Sequence, residues 1–259
     1  MPNFDELNQA LRRADLWRVL ALSFSTPTER SLADLQGLCN DLASAPIMKS
    51  LPFQPGLADL ARYIESQDLG TLEHEHNALF SMDVMVPAYE GSYQRIERGA
   101  VVGDVAGYYQ AFGLGTLEKS GPPDSLWNEL AFLSWLSLKE AYAIQHEMED
   151  ALAITRNATH NFLQDHLGRW AGSFSTRLLR TTENPLYVTA VHLLLATVSL
   201  VADELQVEEI HPLDMCEQPA ESDAVACPVA GSPTTSRVQD KGSLCWTKGD
   251  LGDRFLRVP

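Results

Sequence analysis

The sequence predicts an all-α fold, a single helical bundle in residues 1–206 followed by an acidic tail, 207–259. Three observations lead there. Apolar residues recur at three- and four-residue spacing, the period of a helix that buries one face. Proline and glycine cluster between these segments, where they break helices. No segment keeps the two-residue alternation of a half-buried strand. Helices of this length joined by short loops pack as a bundle or globule, and no repeat period is visible.

The elements follow in order. Asp5–Phe24 places Leu7, Leu11, Ala14, Trp17, Leu20, Ala21 and Phe24 on one stripe. Ser25-Thr26-Pro27 ends it, because the residue before proline is pushed out of the helical region. Ser31 is the expected N-cap of a second helix with Leu32, Leu35, Leu38, Cys39 and Leu42 inward. Pro46, Pro52, Pro55 and Gly56 form a loop, and helices over Leu57–Ser66 and Leu72–Phe80 come next. Val101–Phe112 is the fifth, stopped by Gly113 and Gly115. Gly121-Pro122-Pro123-Asp124-Ser125 introduces the longest, Leu126–Met148, with Asp124 or Ser125 as its cap. A helix carrying Phe162, Leu163, His166 and Leu167 stops near Gly168, and Trp170–Arg180 continues as a short one. The apolar helix from Asn184-Pro185 to about Leu205 is expected to be a core helix, since its apolar run, Leu186–Ala202, carries polar residues and is slightly short of the roughly 20 needed to span a bilayer.

Charge narrows the function. Thirty-five acidic residues against 19 basic ones give a formal net charge of −16. Nucleic-acid backbones and anionic membranes are poor partners for such a chain, and cationic partners suit it. The amino-terminal residues lack the basic and apolar regions of a secretory signal, so a cytoplasmic location with free thiols is expected. From Val207 onward acids, prolines and serines replace apolar residues, so a mobile tail is expected.

Catalytic motifs are missing. The chain has no GxxxxGK[ST], GxGxxG, GxSxG or HExxH. His74 and His76 lie two apart on a helix, about 200° around its axis, and cannot easily share an ion; a solvated or half-buried face is expected for them. His211, Cys216, Cys227 and Cys245 are weak metal candidates, because no CxxC pair is present. No enzyme activity and no cofactor are expected. An assembly factor that handles a metal or cofactor through the tail cysteines is the alternative reading.

Val86-Pro87-Ala88-Tyr89-Glu90-Gly91-Ser92-Tyr93 interrupts the helices with a proline, two tyrosines, a carboxylate and a serine. Its composition is compatible with a binding surface and with a packed corner. An acidic helical body bearing such a loop suits a cationic, partly apolar peptide, since arginine pairs strongly with carboxylates.

Four stretches together resemble the TorD/DmsD/NarJ family of molybdoenzyme maturation chaperones. They are Glu75–Phe80 running into Val86–Tyr93, Pro123–Phe132, Phe162–Trp170, and the apolar helix from Pro185 to Asp203. The family commonly has histidine where Ser125 stands. The resemblance covers about Asp5–Leu205. It implies an all-helical, TorD-like chaperone that binds the twin-arginine signal peptide of a molybdopterin-dependent catalytic subunit and delays export until the cofactor is inserted. Residues carried over as peptide-binding are Pro87, Tyr89, Glu90, Ser92, Tyr93, Asp124, Ser125 and Glu129. Leu79, Phe80, Phe132, His166 and Trp170 are expected to pack. The expected partner is the precursor of such a subunit, with the chaperone as monomer or dimer.

Overall fold

A computed structural model of the chain describes residues 3–45, 54–81, 85–94, 98–115, 121–208 and 210–213. It is all-α. The helices are α1 (Phe4–Phe24), α2 (Glu29–Ser44), α3 (Gln54–Ser66), α4 (Leu69–Phe80), α5 (Arg98–Ala111), α6 (Leu126–Gln145), α7 (Glu149–Phe162), α8 (Gly168–Thr181) and α9 (Pro185–Glu204). A 3-10 turn at Glu90–Ser92 lies between α4 and α5, and a π-helical turn at Leu163–Leu167 joins α7 to α8. Among the described residues β-pairing is limited to one isolated bridge, Tyr89 with Ser125.

α1 lies chiefly along α6; α2 packs on α3, α7 on α6, and α9 against α1, α3 and α8. The largest buried side chains are Trp17, Trp170, Tyr93, Tyr187 and Phe24. An aromatic chain ties the elements together: Phe24 to Phe174 at 5.5 Å, Phe174 to Trp170 at 5.8 Å and Trp170 stacked on Tyr93 at 5.3 Å. α9 is long and apolar enough to cross a membrane, but it buries Leu186, Tyr187, Ala190, Val191, Leu193, Leu194, Thr197 and Val201 inside the fold.

Several local expectations are corrected. α2 is capped by Thr28: its hydroxyl accepts the Ser31 N–H at 3.0 Å, and Ser31 Oγ accepts the Thr28 N–H at 2.8 Å. Ser31 is thus the reciprocal partner three residues into the box, not the cap. α6 stops at Gln145 rather than Met148, because Glu147 turns left-handed with φ 54° and Met148 N–H closes on the Ala143 carbonyl at 2.9 Å. His76 is buried against Phe80 at 5.1 Å, and burial lowers its pKa to about 4; His74 remains exposed. Gly168 does not stop a helix. A Cβ there would lie 2.3 Å from the Leu163 carbonyl oxygen, so glycine is what lets the π-helical turn close onto α8. Packing also continues past Val207, with Leu213 N–H donating to the Arg169 carbonyl at 2.7 Å. Cys39 is a core residue whose thiol burial pushes up to about 12. Cys216, Cys227 and Cys245 lie outside the described residues; His211 is exposed, with its carbonyl 3.4 Å from Arg169 Nε.

Away from the loop, an ionic network centred on the buried Glu140 joins four helices. Arg13 Nη2 donates to Glu140 Oε2 at 2.5 Å and Nη1 to Glu204 Oε2 at 2.8 Å, and Arg12 also pairs with Glu204. Arg156 bridges Glu140 and Glu6 at 2.7 Å each. Glu140 is 1% exposed, and removing it takes one of two carboxylate partners from both Arg13 and Arg156. Glu140→Ala is expected to lower unfolding free energy by about 3 kcal/mol in urea titration. Asp59→Ala, which breaks the exposed Arg62–Asp59 pair, is expected to change it by less than about 0.5 kcal/mol.

Candidate functional site

The loop enters from α4 by the Val86 N–H donating to the Leu79 carbonyl at 3.0 Å, with Val86 and Ala88 buried in the core. Two backbone hydrogen bonds then staple it to the start of α6. Leu126 N–H donates to the Ala88 carbonyl at 3.0 Å, and Glu90 N–H to the Asp124 carbonyl at 2.9 Å. This corrects the expected capping. Ser125 occupies the N-cap position, but its buried hydroxyl makes no capping bond, and the carboxylate of Asp124 turns to the loop instead. The free N–H of Leu126, at the helix's first position, is satisfied by the loop carbonyl. The turn before α6 is pinned by Tyr109 OH donating to the Pro123 carbonyl and Asn128 Nδ2 to the Pro122 carbonyl, both at 2.9 Å.

The staple gathers three carboxylates, Glu90, Asp124 and Glu129, each fully buried. Glu90 Oε2 lies 3.0 Å from His166 Nδ1, and Oε1 accepts from Gln94 Nε2. Asp124 Oδ2 accepts the Gly91 N–H at 3.2 Å and faces Arg98 Nε at 3.3 Å. Glu129 Oε2 accepts from Trp170 Nε1 at 3.1 Å. Burial first, and then the charge of Glu90, hold Glu129 well above the usual carboxylate range, against the opposing Trp170 hydrogen bond. Ionisation of Glu129 is thus disfavoured in the folded protein.

Glu90, Tyr93, Asp124, Ser125 and Glu129 present essentially no surface to solvent in this conformation. Tyr93 stacks on Trp170 and donates its hydroxyl to the Pro87 carbonyl at 2.8 Å. Pro87, Tyr89 and Ser92 are partly exposed. Tyr89 meets Trp127 edge-on at 5.9 Å, and the Arg98 guanidinium lies 4.8 Å from its ring centre.

Sequence reading placed His166 and Trp170 in the core and left Arg98 and Trp127 unassigned. All four contact the predicted residues. Backbone geometry explains two of these contacts. Gly91 admits Arg98, since a Cβ would fall 2.6 Å from Arg98 Cγ. The π-helical turn sets His166 at φ −120°, ψ −105°, outside helical geometry, and aims it at Glu90.

Glu129 sets a pH dependence. A carboxyl group with a raised folded pKa contributes stability that is complete below the ordinary glutamate value and is lost as pH rises through the raised one. Glu129→Gln, which cannot ionise, is expected to match the wild type at about pH 4 and to exceed it in thermal midpoint increasingly toward about pH 9. Parallel melting curves across that range check this; equal pH slopes in both proteins contradict it.

Residues 50–176 match the family described as nitrate reductase delta subunit. The chain is 34% identical over 116 residues to the selenate reductase assembly chaperone protein of Thauera selenatis, and 35% identical over 117 residues to the chlorate reductase assembly chaperone protein of Ideonella dechloratans. Each of these matches spans 43% of this chain and 59% of the relative's length. A solved structure from Archaeoglobus fulgidus, described as a candidate redox enzyme maturation protein, aligns with a TM-score of 0.47 at 20% identity, over 73% of this chain and 93% of that one. The family match takes in the loop, the start of α6 and the π-helical turn, three of the four segments that carry the resemblance to the TorD/DmsD/NarJ family.

Proposed function

We propose that this protein is a cytoplasmic chaperone for the catalytic subunit of a molybdopterin-dependent oxidoreductase, that it binds the subunit's twin-arginine leader, and that it delays export until the cofactor is inserted. The assembly-chaperone names of the two relatives support the general role. The observation that carries the leader-binding reading is the convergence of Glu90, Asp124 and Glu129 beneath a partly exposed aromatic pair, Tyr89 and Trp127. Carboxylates accept the planar fork of arginine, and the aromatic faces suit both its guanidinium and apolar leader residues. Reaching Asp124 requires displacement of the groups that now cover it.

Calorimetric titration with a peptide holding two consecutive arginines and an apolar stretch tests the reading. Binding is expected, with affinity falling as salt is added. Asp124→Asn is expected to weaken it about tenfold, the scale of one lost charge-assisted contact, and Glu90→Gln is expected to weaken it in the same direction. Equal affinity for a twin-lysine or scrambled peptide would count against it.

A further inference from the structure

The charged pair at the loop is built unlike the pairs of the ionic network. Arg13 and Arg156 hold their carboxylates at 2.5 to 2.8 Å, and each bridges two acids. Arg98 reaches Asp124 through Nε at 3.3 Å and Nη2 at 3.4 Å, well beyond the usual length of a charge-assisted bond. Its side chain is half exposed, while Asp124 is fully buried beneath it. The guanidinium also lies over the Tyr89 ring, and its stem crosses Gly91, which has no side chain to obstruct it. One face is thus a carboxylate, another an aromatic ring, and the floor is bare backbone. These are the parts of an arginine-binding site, and the chain's own arginine fills it.

We propose that Tyr89, Gly91 and Asp124 form a guanidinium cradle whose resident occupant, Arg98, gives way to an arginine of the client leader, an inference that rests on the leader-binding reading above. Arg98 comes from the solvent side and keeps half its surface there, so it leaves without unpacking the core. Its departure uncovers the carboxylate of Asp124 while the two backbone bonds between the loop and α6 stay in place. An entering arginine meets the same fork geometry and the same ring, and a lysine loses both. Until then Arg98 shields a buried negative charge and lowers the apparent affinity for the leader by the fraction of molecules in which the cradle is filled.

The test uses the full chain with Arg98→Gln, which keeps much of the aliphatic stem, and Arg98→Ala as a second variant. Two probes are applied: the twin-arginine peptide, and agmatine as a small guanidinium with butylamine as its control. Both variants are expected to bind the peptide about fivefold more tightly than wild type, the scale of a half-exposed ion pair. Agmatine is expected to raise their thermal midpoints by more than butylamine does, with little effect on wild type. Adding Asp124→Asn is expected to abolish both gains. If wild type binds the peptide and neither variant gains affinity, the cradle is overturned and leader binding stands. If agmatine stabilises the variants but no form binds the peptide, leader binding falls, and with it the exchange with a client arginine. If agmatine acts no differently from butylamine, the guanidinium cradle is overturned.

Discussion

Two backbone hydrogen bonds, Leu126 N–H to the Ala88 carbonyl and Glu90 N–H to the Asp124 carbonyl, place everything else at the candidate site. They do what a capping side chain does elsewhere, since they satisfy the first free amide of α6. They also set Tyr89 opposite Ser125 and bring Glu90 within reach of Asp124 across 34 residues of sequence. With the loop's own carbonyl serving as cap, the carboxylate of Asp124 is released for the loop amide and Arg98.

Gathering three acids in the interior creates a cost that the fold offsets differently at each. At Glu129, burial and the charge of Glu90 disfavour ionisation. Asp124 is met by a backbone amide and a guanidinium, and Glu90 by His166 and Gln94. Elsewhere the same chain buries Glu140 and Glu204 under three arginines at close range. The contrast separates two uses of buried charge. The network of α1, α6, α7 and α9 holds helices together through short arginine–carboxylate pairs. The loop cluster holds Asp124 more loosely, under a covering arginine that faces solvent.

The aromatic residues connect site to core. Tyr93 stacks on Trp170, whose indole N–H meets Glu129 and whose ring touches Phe174 in the central aromatic chain. Tyr93 therefore serves as the loop's anchor, with its hydroxyl returning to the Pro87 carbonyl. Tyr89 and Trp127, the partly exposed pair, are left as the aromatic surface beside the acids.

The sequence by itself determined the all-α class, the course of the helices and the segments in which the acids and aromatics sit. Each of these is written locally, in the three-four spacing of apolar residues and in proline and glycine punctuation. Even local ends escaped where a side chain had an alternative: Thr28 took the cap expected of Ser31, and Glu147 turned left-handed without being glycine. Tertiary structure alone decided that Glu90, Asp124 and Glu129 are buried together, that His166 and Arg98 are two of their partners, and that Gly168 serves a π-helical turn. The physical reason is range. Helical periodicity repeats within four residues, whereas His166 stands 76 residues from Glu90, and no pattern in either segment names the other.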